Sequence, residues 1–101
     1  MPVSRYIVDG PSMEPAYRAG DRLLVNRLAY IRHRPRPGEA IVFRDPDDRR
    51  RLLLKRVAAP PDASAVTGVY VLGDNAAESR DSRHFGVIER SRIIGKAWRK
   101  Y

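Results

Sequence analysis

The sequence predicts a mostly β protein, a small, closed or strongly curved antiparallel sheet forming a single domain over residues 1–101. Three observations lead to this. Runs of Val, Ile, Leu and Tyr of strand length recur along the chain, turn-forming residues separate them at short intervals, and no apolar helical period is sustained over about ten residues. With 101 residues, 43% of them hydrophobic and 32% charged, there is room for one core and not for two. A chain of this length buries roughly 65% of its unfolded surface, so the core is thin.

The first strand is expected at residues 6–8, just before the Gly10-Pro11 turn, with one short helical turn over residues 13–18. Gly20-Asp21 then turns the chain into a second strand at 22–26. Residues 32–37 alternate Arg and His with Pro, the pattern of an exposed loop, and Gly38 leads into a third strand at 40–43. The charged stretch 45–51 is expected to be an exposed connection to a fourth strand at 52–57. Prolines at 60 and 61 break the chain before a fifth strand at 69–72, and the polar loop opened by Gly73-Asp74-Asn75 separates it from a last strand at 93–98.

Composition excludes several chemistries. With no cysteine there is no disulfide framework, thiol nucleophile or thiolate metal site. Two histidines, His33 and His84, are too few for a multi-histidine zinc site, and no metal or other cofactor is expected. Apolar stretches such as Leu52 to Leu54 fall far short of the roughly 18 residues of a membrane span. The first ten residues also lack the layout of a secretory leader, so the chain, if complete, reads as soluble and cytoplasmic. The net charge of +8 favours anionic partners. Nucleic acid is not expected among them, because Tyr30, Phe43, Tyr70, Phe85, Trp98 and Tyr101 do not interleave with arginine as a stacking platform would. Tyr6 and Trp98 read as packing residues at strand ends, with Trp98 dipping into an anionic membrane surface as the alternative.

Chemistry concentrates at three places. Lys55 interrupts an apolar run, and strand alternation puts it on the face shared by Leu53 and Val57. Taken alone, it is ordinarily an edge or snorkelling lysine. Next to a nucleophile it becomes a general base, provided burial lowers its pKa by about 2 to 3 units. Ser12 stands in a loop stiffened by Pro11 and Pro15, either as the start of a turn or as a hydroxyl presented with little freedom. The third place is the polar loop containing Asp74, Ser79, Asp81 and Arg83. His84 with Asp81 and Ser82 cannot easily align as nucleophile, base and acid, since the three are sequence neighbours.

Ser12-Met13-x-Pro15, Gly20-Asp21, Gly38-Glu39-x-Ile41-Val42-Phe43, Lys55-Arg56-Val57, and Gly73-Asp74-Asn75 followed by Ser79, Asp81, Ser82, Arg83 and Gly86 occur in the order in which they resemble the signal peptidase I family of serine proteases. The resemblance covers roughly residues 5–97, and in size the chain is similar to the family's minimal members, such as nickel-type superoxide dismutase maturation protease and the mitochondrial inner-membrane peptidases. It implies a signal peptidase catalytic core with Ser12 as nucleophile, Lys55 as general base, and Ser79 orienting the lysine amine. The Ser12 N–H is the expected oxyanion donor. Arg56 with Asp74, and Asp81 with Arg83, are expected as structural ion pairs near the site.

The implied substrate is a precursor protein cut after small residues. The pocket positions are Val8, Met13, Tyr17, Leu53 and Leu54, where Tyr17 stands in place of a smaller aliphatic residue and implies a narrower or repositioned pocket. Two features depart from the family pattern: Gly10 stands where many members place a hydroxyl, and residues 58–68 are a short connection where many carry an inserted β domain. Membrane association is implied by the family. The competing readings are a self-cleaving repressor-like Ser-Lys autoprotease and a non-enzymatic basic binding module.

Overall fold

The computed structural model describes residues 2–62 and 67–101. Among them, six strands form one open sheet: β1 (Val3–Ile7), β2 (Arg22–Asn26), β3 (Ala40–Asp45), β4 (Asp48–Ala58), β5 (Tyr70–Leu72) and β6 (Ile93–Lys100). Their order across the sheet is β1-β2-β6-β3-β4-β5, and all neighbours run antiparallel. The strand content and order along the chain follow the sequence pattern. Register shifts interrupt three of its ladders, and the sheet does not close on itself.

Apolar residues lie on both faces of this sheet. Val8, Met13, Leu23, Val25, Val42 and Leu54 pack in one cluster, and Ile41, Phe43, Leu53, Val57, Val71 and Ile88 in another. The split follows from the two-residue period of a strand: Val42 and Leu54 turn one way, Ile41, Phe43, Leu53 and Val57 the other. β3, flanked by β4 and β6, therefore needs an unbroken apolar run at Ala40 to Phe43, and all four are buried. β6 crosses β2 so closely that a Cβ on Gly95 would stand 2.3 Å from the Asn26 carbonyl oxygen, which explains a glycine in mid-strand.

Several boundaries differ from expectation. The charged stretch 45–51 is a hairpin and not a loop. Asp45 ends β3, Pro46 and Asp47 make the turn, and β4 already starts at Asp48. Residues 48–51 are exposed, so no apolar alternation marks them as strand; Asp48 pairs with Asp45 and Leu52 with Arg44, with a register shift between the two pairs. β1 starts at Val3, ahead of the expected 6–8, and β6 runs on to Lys100. The short turn after the first strand is present, closed by the Tyr17 N–H donating to the Met13 carbonyl at 2.9 Å. Trp98 is not packed: it sits at the β2–β6 register shift, 58% exposed, with the Arg99 guanidinium 5.1 Å from its ring centroid. Short helical pieces that the sequence did not reveal occur at Ala76–Glu78, at Ser82–Phe85 (α1) and at Arg90–Arg92. No helix among the described residues is long and apolar enough to cross a membrane.

Candidate active site

The loop after β1 is pinned at both ends by buried apolar residues, Val8 and Met13. Val8 also donates its N–H to Asp21 and accepts from Gly20, closing the base of the loop. Ser12 lies just before the second anchor and is half-buried. The loop is held from above by the segment after β5. The Asn75 N–H donates to the Ser12 carbonyl (2.8 Å), its side-chain amide to the Pro11 carbonyl (3.1 Å), and the Asp74 N–H contacts the Met13 sulfur (3.4 Å). Asn75 thus grips the serine loop from two sides. In the sequence it was visible only as part of a Gly-Asp-Asn motif.

Lys55 lies on β4 opposite Ile41 and is 4% exposed. Its amine is 2.8 Å from the Ser12 hydroxyl oxygen, although the two residues are 43 positions apart. The long aliphatic stem lies on the apolar face predicted for it, and the amine ends at the serine. Burial disfavours the ammonium form and lowers the pKa to about 8. Asp81 opposes this, while the positive charges of Arg80, Arg51 and Arg83 push in the same direction as burial.

Asp81 organises the neighbouring loop. It caps the short helix α1 by accepting from the Arg83 N–H, and its carboxylate also takes the Arg83 guanidinium (2.9 Å), the Gly73 N–H (2.9 Å) and the Ser79 hydroxyl (2.8 Å). Burial opposes its charge, but these donors outweigh burial and hold the carboxyl well below the usual carboxylate range. The Asp81–Arg83 pair expected from the sequence is therefore present, as is Arg56–Asp74, joined by two hydrogen bonds of 2.8 and 2.7 Å. Ser79 is buried at this junction, with its hydroxyl proton directed to Asp81. His84 belongs to the helix cap, where its Nδ1 accepts from the Asp81 N–H at 3.3 Å.

Ser12 and Lys55 open onto a cleft of about 200 Å³ whose apolar wall includes Val8, Met13, Leu53 and Leu54. Tyr17 does not line it. Its ring packs against the cluster holding Val8 and Leu54, and the Lys100 ammonium lies 5.5 Å from the ring centroid, so the expected narrowing by Tyr17 has no place in this cleft. In its stead Tyr6, Arg51 and Arg80 line the space. The Ser12 N–H makes no hydrogen bond among the described residues, which leaves it free to donate. A buried amine against a hydroxyl, beside an unengaged N–H and an apolar cleft, is an arrangement suited to acyl transfer.

The family model described as "Signal peptidase, peptidase S26" matches residues 1–67 and 65–101. The chain is similar to "Signal peptidase I" of Bacillus caldolyticus, 28% identical over 97% of this chain and 79% of that protein. It is also similar to "Mitochondrial ATP-independent inner membrane protease subunit 1a" of Arabidopsis thaliana, 34% identical over 94% of this chain and 68% of that protein. "Mitochondrial inner membrane protease subunit 1" of Mus musculus is 30% identical over 88% of this chain and 66% of that protein.

Proposed function

Since the chain belongs to the signal peptidase family, peptidase S26, we propose that it is a serine endopeptidase that removes leader or signal peptides from precursor proteins, using Ser12 and Lys55 as a dyad. The 2.8 Å contact between a buried amine and a hydroxyl carries this reading. Neutral Lys55 accepts the Ser12 proton as the serine oxygen bonds to the scissile carbonyl carbon. The carbonyl oxygen gains the negative charge and is stabilised by the Ser12 N–H. The protonated lysine then gives its proton to the departing amine, leaving an acyl-serine. In the second half, Lys55 takes a proton from water, hydroxide equivalent adds to the ester carbon, and the returned proton releases Ser12.

Ser79 and Asp81 serve as support in this scheme: the serine oxygen, its proton committed to Asp81, keeps lone pairs for the lysine ammonium. Arg56 with Asp74 and Arg83 with Asp81 hold the two loops. A cleft this small, walled by Val8, Met13, Leu53 and Leu54, suits Ala or Gly before the cut. Incubating wild type and Ser12→Ala with a leader-bearing precursor, then mapping the products by mass spectrometry, tests the reading. Cleavage after Ala or Gly by wild type alone is expected; equal products from both proteins, or efficient cutting after Leu or Phe, would sink it.

An anionic membrane surface is the second partner in this reading. It is supported by the net charge of +8, the exposed Trp98 with Arg99 against its ring, and relatives named as inner-membrane proteases. Flotation with anionic liposomes should retain the wild type and lose much of Trp98→Ala; equal flotation of both removes Trp98 from that role.

A further inference from the structure

Arg80 lies between Ser79 and Asp81, yet its side chain reaches a different part of the molecule. Its guanidinium pairs with Asp45 through one terminal nitrogen and with Asp47 through the other (2.9 Å). The centre of the guanidinium lies 5.2 Å from the Phe85 ring centroid. Asp45 is 1% exposed, and its second oxygen accepts the Asp47 N–H at 2.9 Å. This is an anchored link, because a buried carboxylate deprived of its cation is strongly unfavourable, unlike half of a surface ion pair. The tip of the β3–β4 hairpin, and with it the strand carrying Lys55, is thereby tied to the segment carrying Ser79 and Asp81. Arg80 also lines the cleft onto which Lys55 opens.

We propose that Arg80 is a positioning residue for Lys55: by bridging Asp45 and Asp47 to the Ser79–Asp81 segment, it fixes both the hydrogen-bonded serine–aspartate pair and a permanent positive charge beside the amine. The role rests on Lys55 acting as the base. The charged groups around that amine are Asp81, Arg80 and Arg83 from the 79–83 segment and Arg51 from β4, with Asp9 and Glu78 also lining the cleft. Arg83 is committed to Asp81, and Arg51 extends from an exposed part of the hairpin. Arg80 is the cation whose buried anchor, Asp45, lies on the hairpin that carries Lys55. Lysine in its place keeps the charge but cannot span two carboxylates with one planar fork.

The chain has three lysines, so the titration of Lys55 can be followed directly by NMR on protein carrying ¹³C at lysine Cε, its signal identified by loss in Lys55→Met. Arg80→Gln should raise the Lys55 midpoint by about half a pH unit or more and lower kcat roughly tenfold, with KM within about twofold. Arg80→Lys should keep the wild-type midpoint and still lose kcat several-fold. Folded Arg80→Gln with an unchanged midpoint and unchanged kcat overturns the proposal. Should Arg80→Gln fail to fold, Arg80→Lys decides, and wild-type kcat in that variant overturns it. The NMR arm needs no substrate: a wild type that titrates as expected but cuts no precursor would refute the peptidase reading while the placement of Arg80 is still measured.

Discussion

Lys55→Met should abolish cleavage and, at the same time, make the protein harder to unfold. The catalytic loss is expected to be about a thousandfold or more, because the dyad then has no proton acceptor and Ser12 is left as an ordinary alcohol. The gain in stability has the same physical origin as the activity. At neutral pH the ammonium of a 4%-exposed lysine is held in the fold against a pKa lowered from 10.5 to about 8, a penalty on the order of 3 kcal/mol. Methionine occupies similar space without the charge, and loses only the bond to Ser12. A rise in Tm of about 5 °C or more at pH 7 is expected for a chain of this length.

The pH dependence has a definite sign. Below about pH 8 the amine is charged in both folded and unfolded chains, and the whole penalty is present. Between about 8 and 10.5 the unfolded chain holds a proton that the folded chain has released, so wild-type stability rises with pH relative to Lys55→Met. The gap in Tm between the two proteins should therefore narrow across that window. Over the lower part of the same range kcat/KM of the wild type should climb and level off, with a midpoint near 8, as the neutral base is populated. Calorimetric melts of both proteins and a pH–rate profile check these outcomes together. A Lys55→Met protein that melts lower than wild type at pH 7, or that still cleaves, contradicts the assignment.

Gly73→Ala should cost about a hundredfold in activity, by a steric route. A Cβ at position 73 would stand 2.1 Å from the Ser79 hydroxyl oxygen, 2.4 Å from the Ser79 Cβ and 2.8 Å from the Ser12 carbonyl oxygen. None of these is the loose end of a long side chain. The Gly73 N–H also donates to Asp81, so moving the backbone aside breaks a buried bond. Overpacking at such a point costs about 3 kcal/mol, and a displacement of about 1 Å at the reacting group can cost a hundredfold in rate. Adding Ser79→Gly removes two of the three collisions. The double variant should regain most of the lost Tm and remain slow, a combination that a Gly73→Ala protein indistinguishable from wild type in melt and rate would disprove.

The alternation of β4 and the stiff loop around Ser12 single out Lys55 and Ser12 as candidates, although each taken alone reads as an ordinary snorkelling lysine and a turn-starting serine. Their approach to 2.8 Å was implied by resemblance and not by periodicity, which carries no information about contacts 43 positions apart. The Arg56–Asp74 and Asp81–Arg83 pairs were legible because motif residues meet motif residues. Asp45 with Arg80 was not: the partners are 35 positions apart, and the aspartate lies in a stretch whose charge mimics a loop. Tyr17 was misplaced in the cleft because side-chain direction in a single helical turn depends on which core it meets, and here it meets the one shared with Leu23. The helix α1 was missed because four residues are too few to show a period.

β6 separates β2 from β3, so the half of the sheet leading to Ser12 and the half bearing Lys55 share no strand pairing without it. Nascent polypeptide that has passed position 55 but not yet position 93 carries both reactive groups and lacks the seam between them. The last strand is thus the one whose pairing completes the sheet, joining the first two strands to the three that precede it in the chain.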